Sequence, residues 1–262
     1  MKKDMRKIAI VAFGIAALLL SAGPCACASE PVKYYTAKML ARYPHDISSY
    51  TQGLFFHEGR LYESTGQYGE STFREVDIET GRALQRLDFD RSYFVEGSVV
   101  LDGRLYILTW TNGLCFVYDI DGLQYLGQYH YPHEGWGLTT DGEYLITSEG
   151  SSYIYFIDPS DFSIEKTFQV QLNGRPVNYI NELEYIEGKI WANVYMTENI
   201  LIIDPASGNV EGVVDCSGLY KRGERSSRDD VFNGIAFNSI DGSVYVTGKY
   251  WKYLYKISLE EK

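Results

Sequence analysis

Five residues with chemically useful side chains recur at one position of a repeated motif. They are separated by 44, 40, 45 and 52 residues and are Gln52, Glu96, Trp136, Asn181 and Asn233. A carboxylate among carboxamides can move protons while the amides bind a polar substrate. Glu96 is the strongest candidate, because Phe94 stands two residues before it and apolar surroundings raise the pKa of a carboxyl. The alternative is a wet channel whose polar lining performs no chemistry.

A second group of candidates lies at the ends of the strands that follow. Trp110, Tyr195 and Lys249 each end the second strand predicted for their repeat. With Trp136, the two aromatic residues would form a cup around a substrate. Lys249 would donate hydrogen bonds at the same end of the channel if all repeats share one register. Core packing would equally explain the aromatic residues, and a solvated charge would explain Lys249.

These positions belong to a strand–turn–strand repeat that fills the chain after its first segment. Four of the five repeats have a Gly-centred first strand, with Glu182 in place of Gly in the fourth, and every repeat has a second strand that starts with Gly. A third strand ends at an acidic turn in four repeats, and a fourth strand then leads away. A period of about 40 to 50 residues with four strands is typical of a propeller rather than a solenoid. We therefore predict an all-β fold, a five-bladed β-propeller with four-stranded antiparallel blades.

The predicted ring needs a closing strand. The fifth repeat, from Phe232, contains only three predicted strands. We predict that residues 37–43 supply the missing outer strand, which closes the ring and removes an exposed edge. Residues 29–35 are predicted to be an unstructured start, and residues 221–230 a charged loop near one face.

The first residues have the composition of an export signal. Basic residues precede an apolar run at 8–22 that is too short for an ordinary membrane span, and small residues follow it. Cleavage after Ala28 would make residues 1–28 a signal peptide and residues 29–262 a single domain. Lipid attachment at Cys25 or Cys27 is the competing interpretation. Both predict an exported protein, periplasmic or an outer-membrane lipoprotein of a bacterium, with no transmembrane domain in the mature chain.

Charge and cysteine content narrow the function classes. The formal net charge of −11 argues against a nucleic-acid partner, since phosphate binding needs a basic surface. Cys115 and Cys216 fall in non-adjacent repeats, so we expect free, buried thiols. His130 and His133 lack a carboxylate or cysteine partner at convincing spacing, which predicts a loop rather than a zinc site.

Eight motifs, taken in order, resemble the plant and bacterial type of glutaminyl-peptide cyclotransferase. They include Thr-Gln-Gly-Leu at 51–54, Asn-Glu-Leu-Glu-Tyr at 181–185 and Val-Thr-Gly-Lys at 246–249. The others lie at 63–69, 93–97, 135–142, 191–193 and 233–236. The resemblance covers essentially the whole chain after the leader. It implies a five-bladed propeller that converts the N-terminal glutamine of peptides or proteins to pyroglutamate and releases ammonia.

The resemblance also carries residue roles onto matching positions. Glu96 matches the catalytic glutamate of that family. The positions that match its channel lining are Gln52, Trp110, Trp136, Asn181, Glu182 and Lys249. We add Phe94, Tyr195 and Asn233 as substrate-binding candidates from their place in the repeats. Tyr195 is a departure, because the family often has Trp there, and a smaller ring with a hydroxyl would change the fit of the substrate.

The chemistry expected at this site needs no protein nucleophile, metal or organic cofactor. Glu96 would take a proton from the attacking α-amine and deliver it to the leaving ammonia. Gln52, Asn181 and Lys249 would bind the amide oxygen as charge develops on it. A structural cation in the channel is compatible with this scheme. A closed ring has little need of a partner subunit, so we expect a monomer.

Two other functions remain open on the sequence alone. The first is a non-catalytic propeller that binds a peptide or a sugar in the aromatic and polar channel. The second is a metal-dependent, lactonase-like hydrolase, in which the channel would hold a cation. Its candidate ligands would be Glu96, Asn181, Glu182 and Asn233.

Overall fold

Alternating apolar residues bounded by turns form 22 β-strands in the part of the chain that the structure describes, residues 31–225 and 227–262. The structure is a computed structural model. Residues 31–262 form one compact unit, and the predicted export signal lies outside the described residues. Within the described part there is one short 3₁₀ helix, Arg222–Glu224, and no helix there is long and apolar enough to span a bilayer. The prediction of an all-β fold is confirmed.

Most strands group into antiparallel units of four that follow the chain order. The first unit contains β2 (Thr51–His57), β3 (Arg60–Thr65), β4 (Thr72–Asp77) and β5 (Arg82–Asp88). The second contains β6 (Val95–Leu101), β7 (Arg104–Thr109), β8 (Leu114–Asp119) and β9 (Tyr125–His130). The third contains β10 (Leu138–Thr140), β11 (Leu145–Ser148), β12 (Tyr153–Ile157) and β13 (Ile164–Gln169). A small hairpin of β14 (Gln171–Leu172) and β15 (Arg175–Pro176) follows.

The remaining strands form one eight-stranded sheet. Its first half, the fourth unit, contains β16 (Ile180–Ile186), β17 (Lys189–Val194), β18 (Asn199–Ile203) and β19 (Val210–Asp215). Its second half, the fifth unit, contains β20 (Phe232–Asn238), β21 (Ser243–Gly248), β22 (Tyr253–Glu261) and the N-terminal strand β1 (Lys33–Pro44). The N-terminal strand therefore lies beside the last strand of the chain.

Strand β1 is longer than the sequence predicts. It begins at Lys33, so the expectation of an unstructured start over residues 29–35 is wrong for its last three residues. Those residues are ordered because Lys33–Thr36 pair in parallel with β19, while β1 also pairs antiparallel with β22. Partners that lie some 180 residues away give the segment no local signal in the sequence.

The third unit is shorter than its repeats suggest. Trp136 and Gly137, expected in the first strand, precede β10 and instead bind Ser148 through their backbone N–H groups. The second strand begins at Leu145 rather than at Gly142, because the Asp141 carboxylate accepts the N–H groups of residues 143 and 144 and holds a turn. The shorter strands leave Trp136 on a loop at the end of the unit.

Apolar side chains pack between neighbouring units. Five buried clusters join units one and two, two and three, three and four, four and five, and five and one. The first strands contact each other in the same cyclic order. Strand β2 contacts β6, β6 contacts β10, β10 contacts β16, β16 contacts β20, and β20 contacts β2. Glycine is required at this contact. A Cβ at Gly97 would lie 2.5 Å from the backbone nitrogen of Leu138, and one at Gly137 would overlap the carbonyl oxygen of Asn181.

The two cysteines in the described part, Cys115 and Cys216, are buried and unbonded to each other, as expected. Burial raises the pKa of both thiols. Both are therefore held as neutral, apolar groups in separate clusters of the core.

Candidate active site

A cavity of about 220 Å³ opens at one end of the first strands. That volume is below the ~300–1,000 Å³ of sites for drug-sized ligands, and it suits a single amino-acid side chain. Its lining residues come from all five units: Tyr50, Gln52, Phe94, Glu96, Trp110, Trp136, Asn181, Tyr195 and Lys249. The structure thus brings together eight residues that the sequence predicted and adds Tyr50.

A β-bulge delivers the polar residues of this lining. The pairing of the first and second strands shifts between Thr51 and Gly53 in the first unit, and at the equivalent point in the second, fourth and fifth units. The residues at the bulge are Gln52, Glu96, Asn181 and Asn233. A bulge leaves a residue outside the ladder and re-aims its side chain. The repeated motif therefore encodes a repeated distortion that turns a polar side chain toward the centre.

A second set of lining residues immediately follows the second strands. Trp110, Tyr195 and Lys249 come directly after β7, β17 and β21. Each donates its backbone N–H to the carbonyl of the residue two positions before the bulge, at 2.8–2.9 Å. This common bond holds the three side chains at one level, so the register assumed for Lys249 is correct.

Glu96 is almost fully buried, with 4% of its surface exposed. Its Oε1 accepts a hydrogen bond from Nε2 of Gln52 at 2.9 Å, and its backbone carbonyl accepts one from Oγ of Ser64 at 2.6 Å. Burial raises the pKa of Glu96 well above its ordinary value; the charge of Lys249 opposes this rise, and that of Glu134 adds to it. The raised pKa shifts this carboxyl toward its protonated form, which favours proton exchange with a bound amine.

Lys249 is the cation of the cavity, and only 3% of it is exposed. Its Nζ lies 4.4 Å from the ring centre of Tyr50 and 5.2 Å from that of Tyr195, so two aromatic faces hold the ammonium. Burial lowers the pKa of Lys249 to about 8, although Glu96 acts in the opposite direction. Its charge is thus present at neutral pH and lost in mild alkali.

The aromatic lining is fixed by one exposed carboxylate. Oε2 of Glu134 accepts hydrogen bonds from the indole N–H groups of Trp110 at 2.8 Å and Trp136 at 3.0 Å. Trp136 also meets Tyr195 edge to face, with ring centres 5.7 Å apart, and Trp110 meets Phe94 at 5.5 Å. The predicted aromatic cup is present, and Glu134 joins two of its walls.

Glu182 and Asn233, both predicted to bind substrate, do not line the cavity. The two carboxylate oxygens of Glu182 accept the backbone N–H groups of Leu54 and Ile235 at 3.2 and 2.9 Å. The amide of Asn233 donates to the carbonyl of Thr51 at 3.0 Å. Bulges free backbone groups from their ladders, and these buried side chains satisfy groups of neighbouring units. The polar ring is thus partly structural.

Sequence reasoning missed Tyr50 and Glu134. Each stands two residues before a position of the polar ring, as Phe94 does before Glu96. Side chains two residues apart along a strand point to the same face, so this spacing was the available signal. Phe94 alone was predicted, as an aromatic neighbour that desolvates Glu96.

The donors suggested for a channel cation are only partly committed to the protein, because the buried side-chain oxygens of Asn181 and Asn233 have no hydrogen-bond partner among the described residues. Glu182 binds two backbone N–H groups, and Oε1 of Glu96 binds Gln52. Among the described residues, no group of three or more His, Cys, Asp or Glu side chains is placed to hold a metal ion. Carboxamides are not among those side-chain types, and two of the suggested ligands, Asn181 and Asn233, keep an oxygen that is unpaired in the described part of the chain.

Comparison with known proteins gives consistent matches. The family model described as glutamine cyclotransferase matches residues 11–259. A curated glutaminyl-peptide cyclotransferase of Arabidopsis thaliana is 40% identical over 230 residues, which are 86% of this chain and 71% of the relative. The crystal structure of Myxococcus xanthus glutaminyl cyclase superposes with a TM-score of 0.84 at 36% identity, covering 89% of this chain and all of that one.

Proposed function

The chain belongs to the glutamine cyclotransferase family, and we propose that Glu96 is the general acid and base of the glutaminyl-peptide cyclotransferase reaction. In that acyl transfer, the α-amine of an N-terminal glutamine attacks the carbon of its own side-chain amide. The new C–N bond closes the pyroglutamyl ring, and the bond to the amide nitrogen breaks. One proton leaves the attacking nitrogen and one joins the leaving nitrogen, which departs as ammonia.

The observation that carries this proposal is the buried Glu96 carboxyl in a cavity of single-residue size. Proton transfer is most effective when the pKa of the catalytic group is near the working pH. Burial brings the pKa of Glu96 up from its ordinary value, and the hydrogen bond from Gln52 holds the carboxyl in place. A carboxyl so held can take the amine proton and return it to ammonia without solvent.

Charge that develops on the amide oxygen needs a donor in the cavity. Gln52 already donates to Glu96, and its own oxygen lies 3.4 Å from the Asn233 amide. We therefore assign the oxygen to Lys249 and Asn181, which have no hydrogen bond between their side chains and other described residues. This revises the expected role of Gln52 from substrate donor to support of Glu96.

The aromatic walls would hold the aliphatic part of glutamine in a folded conformation. The reaction is intramolecular, so most of its acceleration comes from orientation and proton transfer. Trp110, Trp136 and Tyr195 pack around the cavity and exclude water from it. Exclusion of water also favours ring closure over hydrolysis of the amide.

Glu96→Gln tests the proposal. This variant keeps the shape and the contact with Gln52 but cannot accept the proton, so we expect kcat to fall by about 10²–10⁴-fold. Ammonia release from a small glutaminyl peptide measures turnover, and thermal unfolding shows that the fold is intact. Exposed Glu79→Gln is the matched control. Wild-type turnover in the Glu96 variant would contradict the assignment.

The same assay separates the alternatives. Activity that survives a chelator supports a reaction with no metal, whereas loss of activity that calcium restores would favour a cation-dependent enzyme. A folded protein that binds glutaminyl peptides without releasing ammonia would favour the non-catalytic propeller. The family membership makes the first outcome the expected one.

We propose that the five units are the blades of one closed propeller, with β1 as the outer strand of the fifth blade. The cyclic contacts of the first strands and the five clusters between units support this arrangement. Propeller sites lie at the channel mouth, where one position from each blade converges. The cavity occupies such a place.

The cellular setting follows from the leader and stays a proposal. An exported, monomeric enzyme would act on peptides or proteins with N-terminal glutamine outside the cytoplasm of a bacterium, either free in the periplasm or lipid-anchored. The N-terminal processing site is measured by mass spectrometry of the protein from the host. A mature chain that starts near Ser29 would support cleavage, and one that starts at a lipid-modified cysteine would support the anchor.

A further inference from the structure

A second cavity, of about 590 Å³, lies under the charged loop between the fourth and fifth units. We call it the arginine cavity. Its described lining includes Met196, Glu198, Arg222, Arg225 and Arg228. Three arginines in one cavity are unusual on a chain whose formal net charge is −11. The arginines make this cavity an arginine-rich region of an otherwise acidic protein.

The three arginines are in different states. Arg225 is satisfied, because its guanidinium donates two hydrogen bonds to the Glu198 carboxylate, at 2.8 and 2.9 Å, and lies 5.0 Å from the Trp251 ring. Arg222 and Arg228 are exposed, and no other described residue forms a hydrogen bond or ion pair with their side chains. The cavity thus presents two exposed guanidinium groups beside the pair of Arg225 and Glu198 and the buried Asp230, which also lines it.

The arginine cavity adjoins the catalytic cavity. Tyr195 lines the catalytic cavity, and the next residue, Met196, lines the arginine cavity. On the other side, Lys249 donates its backbone N–H at 2.9 Å to the carbonyl of Val231, which also lines the arginine cavity. An extended peptide advances about 3.4 Å per residue. A chain whose first residue fills the catalytic cavity would therefore reach the arginine cavity within its next few residues.

We infer that Arg222 and Arg228 form a subsite for an acidic side chain at residues two to four of the substrate. The inference rests on the proposed function, because it takes an N-terminal glutamine in the catalytic cavity. A guanidinium matches a carboxylate through two parallel hydrogen bonds, so glutamate and aspartate are the favoured side chains. Lysine at the same place is disfavoured by repulsion.

Acidic groups near the subsite limit the strength of this preference. Glu224 and Asp229 belong to the same loop and are exposed. The charge of Asp229 acts to raise the pKa of Lys249 and of Tyr50, so this carboxylate lies within electrostatic range of the catalytic cavity, where the substrate carries its amine. Asp229 would thus lie near the positive end of the peptide, and the two exposed arginines farther along it, in the cavity that Asp230 also lines. This order of charges fits a peptide with a cationic terminus and a downstream carboxylate.

Peptides that differ in one side chain test the subsite. The purified protein is assayed with an amidated Gln-Ala-Ala-Ala peptide and with peptides that carry Glu or Lys at residue two, three or four in turn. We expect kcat/KM for one Glu position to exceed that for Lys by about fivefold, an effect in KM with kcat unchanged. The ratio should shrink as salt is added.

Variants locate the effect. Arg222→Glu and Arg228→Glu should each lower or reverse the preference, and turnover of the neutral peptide should stay within about twofold. Arg82→Glu is the control, because Arg82 is exposed and the substitution gives the same change in net charge. Arg82 lies opposite Asp77 in the β4–β5 ladder, at the end of the first unit that is away from the catalytic cavity. Thermal unfolding verifies that all three variants fold.

The outcomes are distinct. Equal kcat/KM for Glu and Lys peptides at every position would overturn the subsite, and so would an equal response of the Arg82 control, which would indicate bulk charge. Lack of turnover of the neutral peptide would contradict the proposed function instead. Calorimetric titration of the same peptides would then still measure the charge preference directly.

Discussion

Glu96 and Lys249 line one cavity, are both almost fully buried, and each changes the proton affinity of the other. The Lys249 charge counteracts the rise that burial causes in the pKa of Glu96, and Glu96 counteracts the fall that burial causes in the pKa of Lys249. The opposite charges of ionised Glu96 and protonated Lys249 thus stabilise each other. That state has a base for the attacking amine and a cation for the amide oxygen.

Lys249→Met should therefore shift the pH dependence as well as lower the rate. Without the Lys249 charge the pKa of Glu96 rises further, and since a base must be unprotonated, the acidic limb of kcat should move to higher pH. Loss of the cation should also lower kcat by about 10²-fold. A pH profile of kcat measures both, with exposed Lys38→Met as control. An unchanged acidic limb would show that Lys249 does not act on Glu96.

At the scale of elements, the ends of the second strands decide the shape of the cavity. Trp110, Tyr195 and Lys249 stand at this place in three units, and Gly66 stands there in the first. A Cβ at Gly66 would overlap the Phe94 ring. The absence of a side chain in the first unit is what allows Phe94 to form the wall.

Gly66→Ala should push Phe94 out of its position. Because Gly66 does not have a positive φ, the penalty is steric, and such overpacking costs about 1–3 kcal/mol of the free energy of unfolding. We expect a higher KM for glutaminyl peptides. Gly122→Ala is the control, since its nearest neighbour would be 3.7 Å away. Urea unfolding and steady-state kinetics measure the two effects; equal behaviour of both variants would refute the steric argument.

At the scale of the whole molecule, buried ionisable groups outside the cavity set the pH range of stability. Burial raises the pKa of Glu184 to about 8. Burial would also raise the pKa of Glu63, but Arg74 and His45 hold it at about 2.

Nδ1 of His45 lies 2.7 Å from the Trp251 carbonyl and Nε2 lies 3.0 Å from Glu63. Both partners accept, so His45 is an imidazolium, and although burial opposes it, the charge of Glu63 raises its pKa.

These shifts predict maximal stability near pH 5. The contribution of Glu184 to stability is fully present below the unfolded pKa of about 4.3 and is lost as pH rises toward 8. The contribution of His45 is also lost as pH rises, above the unfolded pKa of about 6.5. Stability from Glu63 is complete above about 4.3 and is lost as pH falls toward 2. Urea unfolding should show a decline of several kcal/mol between pH 5 and 9.

Glu184→Gln isolates one contribution to that decline. The amide cannot ionise, so the free energy of unfolding should change less between pH 5 and 9 than in the wild type. Exposed Glu143→Gln should leave the slope unchanged. Parallel slopes for wild type and Glu184→Gln would show that Glu184 ionises freely in the fold.

The place of β1 in the eight-stranded sheet is also a property of the whole molecule. β1 lies between β19 and β22, so its removal exposes two strand edges. A protein that lacks residues 1–44 should aggregate or unfold at a much lower temperature than one that lacks residues 1–30. Size-exclusion chromatography and thermal unfolding compare them. Equal melting temperatures would mean that β1 does not close the fold.

Much of the fold and site could be predicted because the repeat is local. Strand periodicity, glycine turns and the bulge motif lie within each unit, so Gln52, Glu96 and Asn181 are recognisable at one register from the amino-acid pattern alone. Glycine at positions such as Gly97 also follows from the sequence, since only glycine permits the close approach seen at the centre. Lys249 was placed by the same register argument.

The division between polar groups that face the cavity and those that serve the fold depends on tertiary packing. Glu182 stands where the other repeats have Gly and was predicted to bind substrate from the family resemblance, yet its carboxylate binds backbone N–H groups of two other units. Glu134 joins Trp110 to Trp136, and β1 begins at Lys33 because of β19. These assignments depend on distances between residues far apart in the chain. A sequence pattern reports side-chain direction within a strand, but hydrogen bonds across the centre depend on how all units pack.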